Sequence, residues 1–280
     1  VRPSDRLFAP WSAKARRFLG IPAALRDVRT SGLSFVHSPQ FLALPAGLML
    51  SQICGQARGR LRRPDNLTIL LVHNYRKVPL TERSLRLVGI EDYVVLREDA
   101  GRPFRLTCKL RALFQYVSSG QCTTKYLLYL DANDVFVRDQ PGKAIDLLKG
   151  RGCDLLFSSE RESYMYDCMP QVKEWVDETA RRAGLPPRYL NSVVFIGRPE
   201  AEREMFGEAL NYITEQELTQ AERVRLIRDG SMRERLPDFP AGVGSDQTIL
   251  RYLQPRFHPR VQIDHEDALA WRKLPEGGAL

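Results

Sequence analysis

Five consecutive apolar residues, Tyr126 to Leu130, run directly into the acidic cluster Asp131-Ala132-Asn133-Asp134. A continuous apolar run bounded by turn formers reads as a strand buried on both faces, so the chain must supply helices above and below it. Leu67 to Val72 repeats the pattern. After it, Thr81 opens a helical pattern with Leu85, Leu87 and Val88 as apolar positions, and Gly89 closes it before a short strand at Tyr93 to Leu96. Strand, helix and strand in that order form a βαβ unit.

The alternation continues. Thr107 to Val117 reads as a helix whose Leu110, Leu113, Phe114 and Val117 fall on one buried face. Helix Gly142 to Lys149, strand Asp154 to Phe157 and strand-like Val193 to Ile196 follow, then one long amphipathic helix from Pro199 to Arg228. Gly230 to Gly244 reads as a loop and Asp246 to Leu253 as a further helix. The expected fold is α/β, with a mostly parallel central sheet flanked by helices. It occupies residues 65–280, preceded by an extension or linker over 1–64 that ends in the basic run Arg58 to Pro64, read as solvated.

Lys and Arg total 42 against 34 Asp and Glu, a formal charge of +8, which suits an anionic partner. The cations are dispersed rather than clustered among aromatics, which argues against nucleic acid. Cys54, Cys108, Cys122, Cys153 and Cys168 show no CxxC spacing, so buried reduced thiols and a cytoplasmic setting are expected. The longest apolar stretch, Phe41 to Cys54, is interrupted by Pro45 and Gly47 and is too short to span a bilayer. It reads as a buried or interfacial helix and leaves peripheral membrane contact open.

In an open α/β sheet, ligands bind beyond the carboxyl ends of the strands, where Asp131 and Asp134 stand. Magnesium and manganese commonly take one or two carboxylates plus substrate phosphates, so the two aspartates form a candidate half-shell for a divalent cation. Asp and Asn are also ordinary turn formers at strand ends.

Four segments in order, YLLYLDANDVFV, DLLFSSE, RYLNSVVFIG and SDQTILRYL, the last followed by VQIDHEDALAW, resemble the glycosyltransferase domain of the procollagen lysyl hydroxylase/glycosyltransferase enzymes and related bacterial proteins. The resemblance covers about the last two-thirds of the chain. It implies a GT-A fold, a UDP-sugar donor, a hydroxyl acceptor and manganese (or magnesium) held by Asp131 and Asp134. The family has an aromatic against the uracil where this chain has Asn133, which either bonds the base or ribose or shapes the turn. Asn191 and Ser192 match a strand-end motif facing the donor sugar, although Asn191 equally suits a turn cap. The family's two following glycines are Val193 and Val194 here.

Asp246 matches the last member of the family's acidic run. It is the candidate catalytic carboxylate, as base or as donor-orienting group, and it also reads as a helix cap or first-turn residue. Glu160 matches an acidic residue after a strand, as a sugar contact or support for one, with surface exposure the competing reading. Lys109 is placed to pair with a phosphate, or else faces solvent. His73, Asn74 and Tyr75 follow the first strand, where base and ribose would sit; His73 equally reads as a satisfied strand-end histidine. The family's third metal ligand is a histidine beyond the last segment reached here, so either the sequence is truncated before it or metal affinity is weaker than in the family; His265 matches a different histidine. Two rivals remain: a sugar-nucleotide-forming nucleotidyltransferase, whose glycine-rich phosphate loop has no counterpart in HisAsnTyrArgLys, and a non-enzymatic module for anionic polymers.

Overall fold

The computed structural model describes residues 35–37, 54, 57–97, 104–133, 135–163 and 165–272. Asp134 and residues 41–53 of the apolar stretch lie outside the described residues.

A six-stranded sheet organises the protein. Its strands are β2 (Leu67–His73), β3 (Val94–Arg97), β4 (Tyr126–Leu130), β6 (Leu155–Glu160), β7 (Tyr189–Gly197) and β8 (Val261–Ile263), in the order β3-β2-β4-β7-β6-β8. β7 alone runs antiparallel to both neighbours, so the sheet is mostly parallel, as expected. A second sheet of three short strands joins β1 (Phe35–His37) to β5 (Val135–Val137) and β9 (Trp271–Arg272).

Every residue of β2 and β4 is buried because helices cover both faces. Tyr126, Leu128 and Leu130 of β4 pack with Leu85 and Val88 of α1 (Leu80–Val88) and Ile145 and Leu148 of α3 (Gly142–Arg151). Leu127 and Tyr129 face the opposite core, built from α2 (Cys108–Ser118), α4 (Pro170–Arg182), α5 (Pro199–Ala209) and α8 (Asp246–Phe257). The alternation along one strand thus feeds two separate cores. No helix among the described residues is long and apolar enough to cross a membrane.

Several expectations change. The helix expected from Pro199 to Arg228 is two: α5 ends in a 3-10 turn at Leu210–Tyr212, and α6 (Gln220–Arg228) starts afresh. Thr219 and Glu222 form a capping box there, each satisfying the other's backbone N–H. The expected loop 230–244 contains a one-turn helix, α7 (Met232–Arg235), and α4 has no counterpart in the sequence reading. The basic run is not simply solvated: Leu61 is buried, and the Gly59 and Leu61 amides bond to the carbonyls of Leu87 and Val88. All five cysteines are free, but only Cys54 and Cys153 are buried. Burial pushes the Cys54 thiol up to about 12 and that of Cys153 to about 11.

Candidate functional site

Because β7 runs antiparallel, its first residues lie beside the carboxyl end of β4, where Leu130 pairs with Val194. The pairing of β6 with β7 jumps from Phe157–Phe195 to Ser158–Asn191, so Ser192 to Val194 bulge out of that ladder. Ser158 fills the gap: its hydroxyl donates to the Asn191 carbonyl at 3.1 Å and accepts the Val194 amide at 3.3 Å. The bulge turns Ser192 and Val193 toward a cavity of about 430 Å³ at the exits of β2 and β4.

His73, Asn74 and Tyr75 line one side of this cavity, and Asp131 and Asn133 its floor. Lys109 of α2, Ser192, Asp246 and Gln247 line the side opposite β2. Lys109 ties these elements together. Its Nζ lies 2.6 Å from Asp246 Oδ2, 3.2 Å from Asp131 Oδ1 and 3.2 Å from the Ser192 carbonyl, with the Tyr129 ring 5.0 Å away. It is 5% exposed, which overturns the solvent-facing reading. Burial opposes its charge, but Asp131 and Asp246 outweigh burial and hold its pKa above the ordinary lysine value. Tyr129 donates to Asp131 Oδ1 at 2.6 Å, and Ser192 donates to Asp246 Oδ2 at 2.7 Å. Asp246 is the first residue of α8, whose cap is Ser245, accepting the Thr248 amide.

The acidic turn is clamped by α1. The Thr81 hydroxyl donates to the Asp131 carbonyl at 2.6 Å, and its amide donates to the Ala132 carbonyl at 3.0 Å. Asn133 Oδ1 accepts the Leu80 amide at 3.4 Å, a turn-shaping contact. On the β2 side, His73 Nδ1 accepts the Tyr75 amide at 3.1 Å, which leaves Nε2 to donate to Glu82 Oε1 at 2.9 Å. That pattern requires the neutral ring. Burial lowers the His73 pKa, and this outweighs the opposing pull of Glu82.

Asn191 of β7 and Glu160 at the end of β6 do not line the cavity, and Glu160 is buried rather than surface-exposed. Arg251, fully buried, pairs with Glu160 and donates to the Leu190 carbonyl at 2.8 Å. Asn191 Nδ2 donates to Glu160 Oε2 at 3.1 Å, and its Oδ1 accepts the Val193 amide at 2.8 Å. Gln247 joins the two groups: its amide donates to Glu160 at 2.8 Å and accepts the Ser192 N–H at 3.2 Å. His265 is far from this arrangement in its bonding, with Nδ1 beside the Pro186 carbonyl at 3.3 Å. Among the described residues, no three His, Cys, Asp or Glu side chains gather as a metal-binding group.

Other cavity residues escaped the sequence reading. Phe104 and Leu106, 38% and 40% exposed, stand with Tyr75, 47% exposed, at the cavity wall. Three of the four exposed large apolar residues among the described ones therefore gather at one opening. Arg223 of α6 also lines the cavity, and Tyr129 supports Asp131 from within β4. The spacing LeuThrGlnAlaGluArg carried a signal for α6 through its capping box, but nothing in it marked Arg223 as inward-facing.

No family model matches the chain, and no curated protein matches it. Among solved structures, it is similar to a glycosyltransferase involved in the glycosylation of the major capsid of PBCV-1. That likeness has 14% identity and a TM-score of 0.38, and covers 70% of this chain and 81% of that one. It is also similar to mouse xyloside xylosyltransferase 1 in its apo form, at 14% identity and a TM-score of 0.41, over 82% of each chain.

Proposed function

We propose that this protein is a glycosyltransferase that moves a sugar from a UDP-sugar to a hydroxyl acceptor. The observation that carries the reading is one cavity at the strand-exit edge, whose exposed aromatic and aliphatic rim gives way to a buried ammonium shared by two carboxylates. A nucleotide sugar has the same order of chemistry, a flat base followed by a charged diphosphate and a hydroxyl-rich ring. Tyr75, Phe104 and Leu106 form the base side, His73 and Asn74 the ribose side, and Ser192 and Asp246 the sugar side.

Within this reading, Lys109 holds Asp131 and Asp246 at fixed positions, and Asp246 keeps the Ser192 hydroxyl oriented. Asn191 and Glu160 act from off the cavity by fixing the bulge and Gln247. In the transfer, the bond between the sugar's anomeric carbon and the diphosphate oxygen breaks, its electron pair leaving with UDP. A new bond forms to the acceptor oxygen, whose proton is released.

Asp131 fits a hard divalent cation. Its side chain is 27% exposed at the cavity, whereas Asp246, 4% exposed, is committed to Lys109 and Ser192. Asp131 with Asp134 would hold manganese or magnesium, leaving positions for phosphates and water. When bound, the ion neutralises charge developing on the leaving diphosphate. A reducing, cytoplasmic setting belongs to the same proposal, in keeping with five free thiols.

The test is UDP release from UDP-glucose or UDP-galactose with manganese present. We expect turnover by the wild type and a loss of about 100-fold or more in Asp131→Asn/Asp134→Asn, on the scale of losing electrostatic stabilisation. Equal turnover by the two overturns the proposal. Pyrophosphate release from UTP and a sugar 1-phosphate would instead make the protein a nucleotidyltransferase.

A further inference from the structure

Among the described residues, Arg223 is the one cavity-lining cation to which the transfer scheme above gives no task. It is 5% exposed, and its Nη1 lies 2.6 Å from the Gly244 carbonyl and 3.3 Å from those of Leu218 and Val243. All three partners are neutral carbonyls, and Arg223 makes no ion pair among the described residues. Its Nε is buried without a hydrogen-bond partner. A buried charge is costly unless it is paired, so a guanidinium kept here without a counter-anion is a site poised for one.

The backbone is shaped to hold that guanidinium in place. Gly244 has φ +65°, and a Cβ there would lie 2.5 Å from the Leu218 carbonyl and 3.2 Å from Arg223 Nη1. A glycine therefore lets the segment before α8 close on the start of α6 around the arginine. Lys109, by contrast, already spends its charge on Asp131 and Asp246. Among the described residues, the cavity thus holds one cation matched by protein carboxylates and one that is not.

We propose that Arg223 is the diphosphate-binding residue of the cavity, pairing with the phosphates of a nucleoside diphosphate and with the charge that grows on them as the sugar departs. This rests on the donor reading given above and deepens it. An arginine is suited to the task because its planar fork presents several N–H groups to phosphate oxygens while some remain tied to the protein.

The experiment compares the binding of UDP and of uridine to the intact protein, with chelator and with manganese, in the wild type, Arg223→Gln and Arg223→Lys. Arg223→Gln should weaken UDP by roughly 10- to 100-fold, the span for hydrogen bonds to a charged group, and leave uridine unchanged. Arg223→Lys, which keeps a charge for both carbonyls and phosphate, should recover part of the loss. If Arg223→Gln lowers UDP and uridine affinity by the same factor, the arginine only tethers the loop and the inference fails. It also fails if both proteins bind UDP equally, a result that leaves the donor reading standing. A wild type that binds neither UDP nor uridine overturns both.

Discussion

Two buried charge clusters flank the bulge of β7, and only one of them meets the cavity. Lys109, Asp131 and Asp246 form the first, lining the wall with Asp131 partly open. Arg251 and Glu160 form the second, 0% and 4% exposed and off the cavity, with Asn191 bonded to Glu160. Both are well-paired ionic groups in a low-dielectric interior, so charge and burial do not distinguish a chemical site from a structural one. Access does, and access is set by the three bulged residues that turn Ser192 outward while Asn191 stays in.

The largest effect should come from Lys109→Met. It removes the cation shared by two carboxylates, and breaking a buried pair costs about 3–5 kcal/mol. Chemical denaturation should show that loss, and UDP release per folded molecule should fall with it. Arg251→Met should cost a similar amount of stability, about 3–5 kcal/mol, for the same reason. Its folded fraction, however, should retain turnover within about threefold, since the pair it breaks lies off the cavity. If both variants lose activity in proportion, the two clusters act as one site and the distinction drawn from access is wrong.

A further buried acid sharpens the contrast by having no cation partner among the described residues. Glu202 in the first turn of α5 is fully buried, and neither oxygen has a hydrogen-bond partner. Burial, with a lesser push from Glu200, raises its pKa well above the ordinary glutamate value, so folding favours its protonated form. Because the folded state binds this proton more tightly than the unfolded chain, stability declines as pH rises above about 4.5 toward the folded value. Glu202→Met should remove that decline and gain about 1–3 kcal/mol near neutral pH, the usual cost of an unpartnered buried polar group. Parallel pH–stability curves for variant and wild type would refute the assignment.

Much of the scaffold was readable because apolar runs and helical spacing are local. β4 spans the same residues as the run Tyr126 to Leu130, and α2 differs from its expected bounds by one residue at each end. The cavity lining was readable where residues sit at strand exits or a helix start: His73, Asn74, Tyr75, Asp131, Asn133 and Asp246 reach one cavity, and Ser192 joins them from within β7. What escaped depends on partners distant in sequence. Glu160 is sealed by Arg251, 91 positions away, and Lys109 is drawn inward by Asp131 and Asp246. The start of β7, Tyr189 to Asn191, lacks the apolar run of Val193 to Ile196 and is held as strand by pairing with Glu160, Ser159 and Ser158. No periodicity in the chain encodes those encounters.

The smallest predicted effect lies at the β2 exit, where a neutral imidazole rather than an ion pair holds the backbone. His73 accepts the Tyr75 amide through Nδ1, so protonation of that nitrogen must break the contact that fixes the rim beside Phe104. The folded pKa lies below the ordinary 6.5, so the unfolded chain takes up the proton first as pH falls. The stabilisation is therefore complete above about pH 6.5 and is lost progressively below it, down through the folded value. Melting temperature should drop as pH falls below about 6.5, and UDP affinity with it, as the Tyr75 amide loses its acceptor. His73→Gln should flatten this part of both profiles, because an amide side chain does not titrate there. An unchanged slope in the variant would assign the acid sensitivity to other groups and leave His73 a passive filler at the strand's end.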